Sequence, residues 1–598
     1  MSDLSLQDQL EAEALHNNEQ LLNFKVRSKH IDWHMYVKPL RPRYAKPIYL
    51  KKQFNLLSNY CEQIDDNNRR ELLLCHDMMG NYLEDRHFNS SKKFDDYRFY
   101  HWSGVDYFCY FSHHYITIPP CGWINAAHKH GVRVLGTFIT EGHIGDQLLH
   151  DVLASREMVN NIVNAMVKLC KHYGFEGWLV NIECKVNPND MENLYYFLDR
   201  LHLAVEDQIS HGIVLWYDSI IETGQLLWQN ELNAKNVRFL KSSHGMLINY
   251  SWTDKSLEVT RALCERERAA CQTVFFGIDI FGRGQIAKFH SKQTLARIAK
   301  QCFSVGIFAP AWTYETLQQY GYDIKHITGR NDVNEAFLQR NEKFWWSLWE
   351  NLATYPYHHL PFYTDFCLGS GRQVYVRGKV NILNETPFFN LSRQSLQPSV
   401  PLHELATRCY EDAFNGGSCL RIEQHDRTFR LFATDFKLQY NGLVCAYAYK
   451  LQERDGEFDC ILRFCTDNNA HDCYLFLGDY YDMFSLYKGR CYVSPFKAKE
   501  NEELLKDSVA CPEIPMSLSC DDLTSANNNG WRVRYYVVAF DGPVHIKDAG
   551  VLYRKSVDAK DTAYLGAFYL NEFDVNASNF SAASNFAYIP IYGKDLLN

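Results

Sequence analysis

The chain of 598 residues is long enough for roughly two to four domains of ordinary size. Hydrophobic residues make up 46% and charged residues 22%, which is the balance of a folded globular protein and excludes a disordered one. The formal net charge is −9, and no run is rich in lysine or arginine, which speaks against a nucleic-acid partner.

The beginning of the chain is polar and acidic. Residues 1–22 lack the basic and then apolar order of a secretory signal, and no apolar run in the chain reaches the roughly 18 residues that cross a membrane. The 19 cysteines are scattered without a C-x-x-C pair, so we predict free thiols rather than disulfides or zinc ligands. These features predict a cytosolic protein without membrane contact, in which residues 1–40 form a partly disordered N-terminal extension.

From about residue 70 onward, eight short apolar segments each end in polar or aromatic residues. Near-continuous apolar strands that alternate with helices are typical of parallel strands buried on both faces. The eight segments are LLLCHD (72–77), VDYFCYFSHH (105–114), VRVLGTFITE (132–141), GWLVNIE (177–183), GIVLWYDS (212–219), GMLINYSW (245–252), TVFFGIDIFGRG (273–284) and VGIFAPAWTYE (305–315).

Helical periodicity lies between several of these segments, most clearly at 151–171, 190–209 and 286–302. Eight strand-and-helix units within about 250 residues match the size of a (β/α)8 TIM barrel. We therefore predict an α/β fold with a catalytic barrel at 41–350. A doubly wound open sheet is the alternative, but no G-x-G-x-x-G follows a strand, which argues against a dinucleotide-binding sheet.

The pattern changes after residue 350. The segment 351–375 is rich in proline, glycine and aromatic residues and is predicted to be a linker or domain edge. Short alternating segments separated by turn residues follow, such as 427–440, 443–452, 473–487 and 531–540. This alternation predicts a C-terminal β-sandwich region over 376–598, with one or two domains that resemble carbohydrate-binding modules.

In a TIM barrel the active site lies at the carboxyl ends of the strands, so the polar and aromatic residues at those ends are considered together. The strand period of two directs Asn181 and Glu183 to the same side of their strand, toward the barrel mouth. The set comprises His76, Asp77, His113, His114, Glu141, Asn181, Glu183, Tyr217, Asp218, Asn249, Trp252, Asp279, Arg283, Trp312, Tyr314 and Glu315.

The pair of Asn181 and Glu183 suggests glycosidase chemistry. A carboxyl group in an apolar setting has a raised pKa and can act as a general acid, while an amide offers a donor and an acceptor that orient a substrate group. Two schemes are open. A retaining glycosidase uses a second carboxylate as nucleophile, with Asp218 and Asp279 as candidates, whereas a substrate-assisted enzyme uses the sugar's own acetamide. The alternative for Asp77, Asp218, Asp279 and Arg283 is a ring of ion pairs beneath the site.

Adjacent histidines occur at 113–114 and 358–359, and a further pair at 128 and 130. Neighbouring residues on a strand face opposite ways, and no third ligand accompanies these pairs, so we predict neither a metal nor another cofactor.

Ten blocks of this sequence resemble, in order, the endo-β-N-acetylglucosaminidases of glycoside hydrolase family 85. The resemblance covers most of residues 40–400, and the animal cytosolic type is the most similar. The blocks include CHDMMGNYLEDR (75–86), GWINAAHKHGVRVLGTFITE (122–141), GFEGWLVNIE (174–183), LWYDSI (215–220), GIDIFGRG (277–284), FAPAWTYE (308–315) and PFYTDFCLGSG (361–371). The INYSW block at 248–252 departs from the family pattern.

The resemblance implies hydrolysis of the β-1,4 bond between the two core GlcNAc residues of N-glycans, with transfer to an acceptor sugar as a further outcome. Glu183 would be the acid/base, and Asn181 would hold the acetamide while it forms an oxazolinium ion. Tyr217 would lie near that acetamide. The residues expected to bind substrate are Tyr314, Trp228, Trp252, Asp218, Asp279, Arg283, His76 and Trp312.

The expected partners are N-glycans, glycopeptides and glycoproteins. Two alternatives remain at this point. One is a glycan-binding protein on the same scaffold without catalysis, and the other is a two-carboxylate retaining glycosidase.

Overall fold

The structure is a computed structural model. It describes residues 14–24, 33–50, 56, 62–63, 69–79, 86–91, 93–111, 113–283, 290–319, 332–381, 387–452, 456–466, 469–478, 491–493, 529–540, 543–555, 562–574 and 587–589. Parts of several predicted segments therefore lie outside the described residues, namely 1–13 and 25–32 of the N-terminal extension, 112 and 284 of two predicted barrel segments, 286–289 of a predicted helix, and 479–487 of a predicted strand.

Eight parallel strands form a closed barrel, which confirms the predicted fold class. Each strand pairs in parallel with its neighbours in the sequence, and the eighth pairs with the first. The strands are β1 (Leu72–His76), β2 (Tyr107–Tyr110), β3 (Arg133–Glu141), β4 (Gly177–Glu183), β5 (Ile213–Tyr217), β6 (Gly245–Ile248), β7 (Val274–Asp279) and β8 (Ser304–Phe308).

Helices follow most of the strands. Their bounds are α1 (Cys121–Lys129), α2 (Gly142–Leu153), α3 (Arg156–Tyr173), α4 (Met191–Gln208), α5 (Val237–Lys241), α6 (Asp254–Glu267), α7 (Ser291–Ala299), α8 (Trp312–Gln319) and α9 (Val333–Leu348). Among the described residues, every helix falls short of the length and hydropathy that a membrane crossing requires.

The single helix predicted over 151–171 is two helices. The first, α2, ends at Leu153, and α3 begins at Arg156. Ser155 is the cause, because it has an extended backbone and its hydroxyl accepts a hydrogen bond from the amide of Met158. A serine in this role satisfies one of the otherwise unpaired amides of a helix start, so the apolar periodicity continues across a break.

Shorter elements surround the barrel. Ile116–Thr117 pairs antiparallel with β3 and with Ala14–Leu15, so the barrel sheet extends on one side. The remaining short pieces are helices at Asn18–Leu22 and Trp33–Tyr36 and 3-10 turns at Trp102–Gly104, Pro188–Asp190, Cys271–Thr273, Trp349–Asn351 and Leu391–Arg393.

Contacts divide the chain into two units. The first holds the barrel and comprises Met1–Pro42, Ile64–Ala353 and Asn390–Ser392. The second comprises Arg43–Gln63, Thr354–Phe389 and Arg393–Asn598, so it includes a segment that precedes the first barrel strand in the sequence.

The second unit contains two main β-sheets. A seven-stranded sheet has the order Ala406–Cys409, Cys419–Ile422, Ala563–Phe573, Gly442–Leu451, Arg532–Phe540 and Ala587–Ile589, with Phe362–Thr364 also paired to Ala563–Phe573. A five-stranded sheet has the order Phe429–Lys437, Val544–Arg554, Glu457–Thr466, Asn469–Gly478 and Cys491–Val493. Three two-stranded pairs join Ile48–Tyr49 to Glu62–Gln63, Ser370–Gly371 to Phe388–Phe389, and Tyr375–Val376 to Lys379–Val380.

The two main sheets share one apolar core. Leu443 and Leu570 of the seven-stranded sheet belong to the same buried cluster as Leu431 and Leu462 of the five-stranded sheet. Two apolar sheet faces that pack on each other make a β-sandwich, and the alternating pattern after residue 376 reflects that packing.

Candidate active site

Asn181 and Glu183 lie side by side at the end of β4. The Nδ2 of Asn181 donates a hydrogen bond to Oε1 of Glu183 over 3.1 Å. Asn181 is buried and Glu183 is half-buried. Gly177 begins this strand because a Cβ there would overlap the carbonyl oxygen of Ile213 on β5, so glycine permits the close approach of the two strands.

The pKa of Glu183 is raised above its ordinary value. Burial is the largest cause, and the negative charge of Glu141 adds to it. The hydrogen bond from Asn181 and the positive charge of Arg283 oppose the rise. The net effect keeps a proton on Glu183 to a higher pH than an exposed glutamate would hold it, which suits a general acid.

Glu141 occupies the equivalent position on the neighbouring strand. Its Cα pairs with that of Glu183 in the parallel register of β3 and β4. Glu141 is exposed, whereas Glu183 is half-buried. Two carboxylates therefore stand on adjacent strands at the barrel mouth, and the more buried one is the better proton donor.

Two tyrosines face the same region from β5 and from the end of β6. Tyr217 donates a hydrogen bond to Oδ1 of Asn249 over 2.8 Å. The ring of Tyr250 lies 6.4 Å from that of Tyr217 and packs over Gly277, where a Cβ would come within 2.6 Å of the Tyr250 ring. Burial, together with the charge of Glu183, raises the pKa of Tyr217 well above its ordinary value, so its hydroxyl stays protonated as a donor.

Asp77 and His113 form an ion pair at the ends of β1 and β2. Their Oδ1 and Nε2 atoms are 2.5 Å apart, and the same Asp77 oxygen accepts the amide hydrogen of Met78. Burial lowers the pKa of His113, but the bond to Asp77 and the charges of Asp77 and Glu141 outweigh burial and raise that pKa overall, with Arg283 opposing. This pair therefore shares the charged environment of Glu183.

Asp279 and Arg283 form a second ion pair after β7. Oδ2 of Asp279 accepts bonds from both the amide and Nε of Arg283, at 3.0 Å and 2.8 Å, and Oδ1 accepts the amide of Phe281. The guanidinium group lies over the rings of Phe281 and Phe308, at 5.1 Å and 5.4 Å. Asp279 is buried and fixes the turn, while Arg283 presents its charge at the mouth.

Asp218 holds the loop that follows β5. Its carboxylate accepts bonds from the amides of Gln229 and Asn230 and from Nδ2 of Asn236, the last at 3.0 Å. It is fully buried, and burial raises its pKa to about 6. The loop that Asp218 anchors carries Trp228, whose side chain is 37% exposed and available to contact a ligand.

Four other residues expected to bind substrate are buried, and each packs against other side chains of this unit. The ring of His76 stacks on Trp123 at 4.8 Å, and it lies on the helix-facing side of β1. Trp252 is fully buried and donates to the carbonyl oxygen of Gly277 over 2.8 Å. The other two are Tyr314, whose hydroxyl donates to Oδ1 of Asp96 over 2.9 Å, and Trp312, whose ring packs edge-on against Phe281 at 5.1 Å.

Tyr250 is absent from the sequence-based set. It is the second residue after β6, and its ring occupies space left open by Gly277 on the neighbouring strand. The polar block after β6 could have indicated Tyr250, but only Asn249 and Trp252 of that block were predicted to lie in the site.

One group in the described residues brings histidine and acidic ligand atoms within 4.8 Å of one another, namely His202, Glu206 and His244. Nδ1 of His244 accepts the amide hydrogen of Val214 over 3.0 Å. In the neutral ring the other nitrogen then carries the proton, so His244 does not offer the lone pair that a metal needs. Val214 is the second residue of β5, so this group lies at the opposite end of the barrel from the mouth.

Comparison with known protein families gives a match that includes barrel strands β2 to β8. The model of Glycosyl hydrolase family 85 matches residues 80–374. "Cytosolic endo-beta-N-acetylglucosaminidase" of Gallus gallus is 41% identical over 363 residues, which cover 60% of this chain and 47% of the relative. The Homo sapiens protein of the same name is 39% identical over 368 residues, with coverages of 60% and 47%. "Cytosolic endo-beta-N-acetylglucosaminidase 1" of Arabidopsis thaliana is 32% identical over 419 residues, which cover 67% and 58%.

The chain spans about half the length of the animal relatives it matches. Among solved structures, the glycoside hydrolase domain of Endo-D from Streptococcus pneumoniae aligns with a TM-score of 0.65 at 16% identity, covering 94% of this chain and 83% of that one. That likeness supports the fold alone. By sequence, residues 80–374, just under half of this chain, match the model of Glycosyl hydrolase family 85.

Proposed function

We propose that this protein is an endo-β-N-acetylglucosaminidase that hydrolyses the β-1,4 bond between the two core GlcNAc residues of N-linked glycans. The observation that carries the proposal is the pair of Asn181 and Glu183, hydrogen-bonded over 3.1 Å at the end of β4 within the residues that match family 85. The substrates in this proposal are N-glycans, glycopeptides and glycoproteins.

Glu183 is the proton donor of the first step. Burial raises the pKa of its carboxyl group and so favours the protonated form, which transfers its proton to the glycosidic oxygen as the bond to C1 breaks. In the second step the carboxylate takes a proton from the attacking water. Retention of configuration follows, because C1 is attacked twice from opposite faces.

The nucleophile in this proposal is the acetamide oxygen of the substrate, which closes on C1 to give an oxazolinium ion. Asn181 holds that acetamide. Its Nδ2 is bonded to Glu183, so its carbonyl oxygen is the group that accepts the acetamide N–H. This hydrogen bond polarises the acetamide N–H and shifts electron density through the amide onto its oxygen, which makes that oxygen more nucleophilic.

Tyr217 and Tyr250 line the pocket for this acetamide in the proposal. Their hydroxyl groups remain protonated, since burial raises the pKa of each well above its ordinary value. Trp228 offers an exposed aromatic surface for a sugar ring outside the cleaved bond. A sugar hydroxyl in place of water would give transglycosylation by the same second step.

The geometry favours this scheme over a nucleophile at Asp218 or Asp279. Both oxygens of each carboxylate accept hydrogen bonds from the loop that follows their own strand. A carboxylate bound in this way would have to break the hydrogen bonds to its own loop before it could attack C1. Glu141 is the carboxylate that stands beside Glu183, and its replacement by glutamine separates the two schemes.

The direct test is mass analysis of products from a defined N-glycopeptide. The proposal expects a peptide that retains one GlcNAc and a free oligosaccharide that also ends in one GlcNAc. Glu183→Gln should abolish release of the oligosaccharide. A glycan-binding protein without catalysis would release no oligosaccharide as wild type or as Glu183→Gln. Release of the whole glycan from asparagine would contradict the proposal.

We also propose that the protein works in the cytosol. The relatives carry this location in their names, and the fifteen cysteines whose side chains the structure describes are free thiols, as a reducing compartment would keep them. Asn390 begins an Asn-Leu-Ser sequence that the secretory pathway could glycosylate. Recovery of the endogenous protein with a glycan on Asn390 would contradict this location.

A further inference from the structure

The second unit contains an open cleft of about 540 Å³ that lies outside the barrel. Its size falls in the range of about 300–1,000 Å³ that is usual for small-molecule sites. The lining residues that matter here are Tyr363, Asp365, Tyr375, Arg377, Arg393 and Asn415.

Hydrogen bonds between three chain segments give the cleft its shape. The backbone of Tyr375 exchanges two hydrogen bonds with Gly416, at 2.8 Å and 3.1 Å. Asn415 accepts the amide hydrogen of Arg377 over 2.9 Å and donates to the hydroxyl of Tyr363 over 3.3 Å. The cleft is therefore preformed, which reduces the entropy that a ligand would lose on binding.

Arg377 occupies an unusual position for an arginine. It is the first residue of the two-residue turn between Tyr375–Val376 and Lys379–Val380, with φ of 51°, and Gly378 follows with φ of 77°. Such turns strongly prefer asparagine, aspartate or glycine at this first position, because the left-handed conformation is costly for other residues. At this position the arginine lines the cleft and offers it a guanidinium group.

The groups that line the cleft include donors, acceptors and apolar surface. Arg377, Arg393 and the amide of Asn415 donate, and the carboxylate of Asp365 accepts. Tyr363 is half-buried and Val376 is 46% exposed, so part of the lining is apolar. The guanidinium of Arg393 lies 4.9 Å over the ring of Phe388, which holds it at the rim.

This combination fits a sugar. Sugar hydroxyls both donate and accept, and the C–H face of the ring is apolar. A small anion presents mainly acceptors, which suit the two guanidinium groups but not the Asp365 carboxylate. We propose that this cleft is a second, non-catalytic glycan-binding site that takes a neutral sugar residue.

The test uses the full chain and a neutral oligomannose oligosaccharide that ends in a single GlcNAc, so the bond of the proposed reaction is absent from the probe. Binding is measured by calorimetry for wild type, Arg377→Gly and Lys379→Ala. Glycine is favoured at the turn, so Arg377→Gly should fold at least as stably as wild type. Lys379 is an exposed residue of the same hairpin outside the lining, and its variant is the matched control.

We expect Arg377→Gly to weaken probe binding at this site at least tenfold, while Lys379→Ala binds as wild type. The rate of hydrolysis of a small glycopeptide should be the same in all three proteins. Glu183→Gln should still bind the probe at this cleft, so a failure of the proposed function would not affect the binding test. Equal binding by wild type and Arg377→Gly would overturn the proposal. Binding of inorganic phosphate or a sialylated glycan that displaces the neutral probe would overturn the sugar class.

Discussion

Gly277→Ala should disable the proposed active site through Tyr250. A Cβ at position 277 would lie 2.6 Å from the carbonyl oxygen of Ile248 and 2.6 Å from the ring of Tyr250. Carbon atoms pack best at about 3.5–4.0 Å, so the ring must retreat by about 1 Å. A displacement of about 1 Å in an active site can lower the rate about 10²-fold. We expect kcat/KM for a defined glycopeptide to fall by about that factor.

The same substitution should also lower stability by about 1–3 kcal/mol, as overpacking does. Gly306→Ala is the control, since Gly306 pairs with Gly277 in register and its Cβ would meet the flexible tip of Leu247. We expect Gly306→Ala to lower the free energy of unfolding by less than Gly277→Ala does, because the tip of Leu247 can shift, and to retain kcat/KM within a few-fold. A folded Gly277→Ala protein with wild-type kcat/KM would refute the inference that the position of Tyr250 shapes the site.

Three further outcomes follow from charges in the structure. Glu141→Gln should retain most activity and move the alkaline limb of the pH–rate profile to lower pH, because the Glu141 charge raises the pKa of Glu183. A loss of activity equal to that of Glu183→Gln would instead indicate a two-carboxylate mechanism. Arg283→Gln should move the same limb to higher pH, because the guanidinium lowers that pKa, and a shift in the opposite direction would contradict the assignment. Asp548→Ala should lower the free energy of unfolding by about 3–5 kcal/mol in urea denaturation, since it leaves the buried guanidinium groups of Arg430 and Arg463 without their anion.

The barrel was predictable because its evidence is distributed along the chain. All eight strands appear where apolar segments end in polar residues, and β4 carries Asn181 and Glu183 on one face as the period of two requires. The break between α2 and α3 was missed, because the apolar spacing continues past Ser155 and only the capping bond marks it.

The site is harder to predict because each side chain's direction depends on its parity along the strand. His76 and Asp77 are neighbours, so when Asp77 meets His113 at the mouth, His76 must point toward Trp123 and the helices. Trp252 likewise lies past the end of β6, where the chain has turned away from the mouth and into the packing beside Phe276.

Tyr250 could not be predicted from its own segment. Its ring occupies space that Gly277 leaves open on the neighbouring strand, and the two are brought together by the register of β6 against β7. A register of this kind is set by the whole barrel and is not encoded in either strand alone. The cleft at Arg377 is similar, since its walls come from segments about 50 residues apart in sequence that only the fold joins.

In the proposed mechanism Glu183 moves protons, and Asn181 orients the substrate's own nucleophile. The most direct measurement compares two substrates, a natural N-glycopeptide and a preformed sugar oxazoline, for wild type and Asn181→Ala. We predict that Asn181→Ala loses glycopeptide hydrolysis by about 10²–10³-fold, the usual effect of removing one such group, yet still uses the oxazoline, in which the acetamide has already closed. An equal loss of activity on both substrates would contradict the proposed role of Asn181.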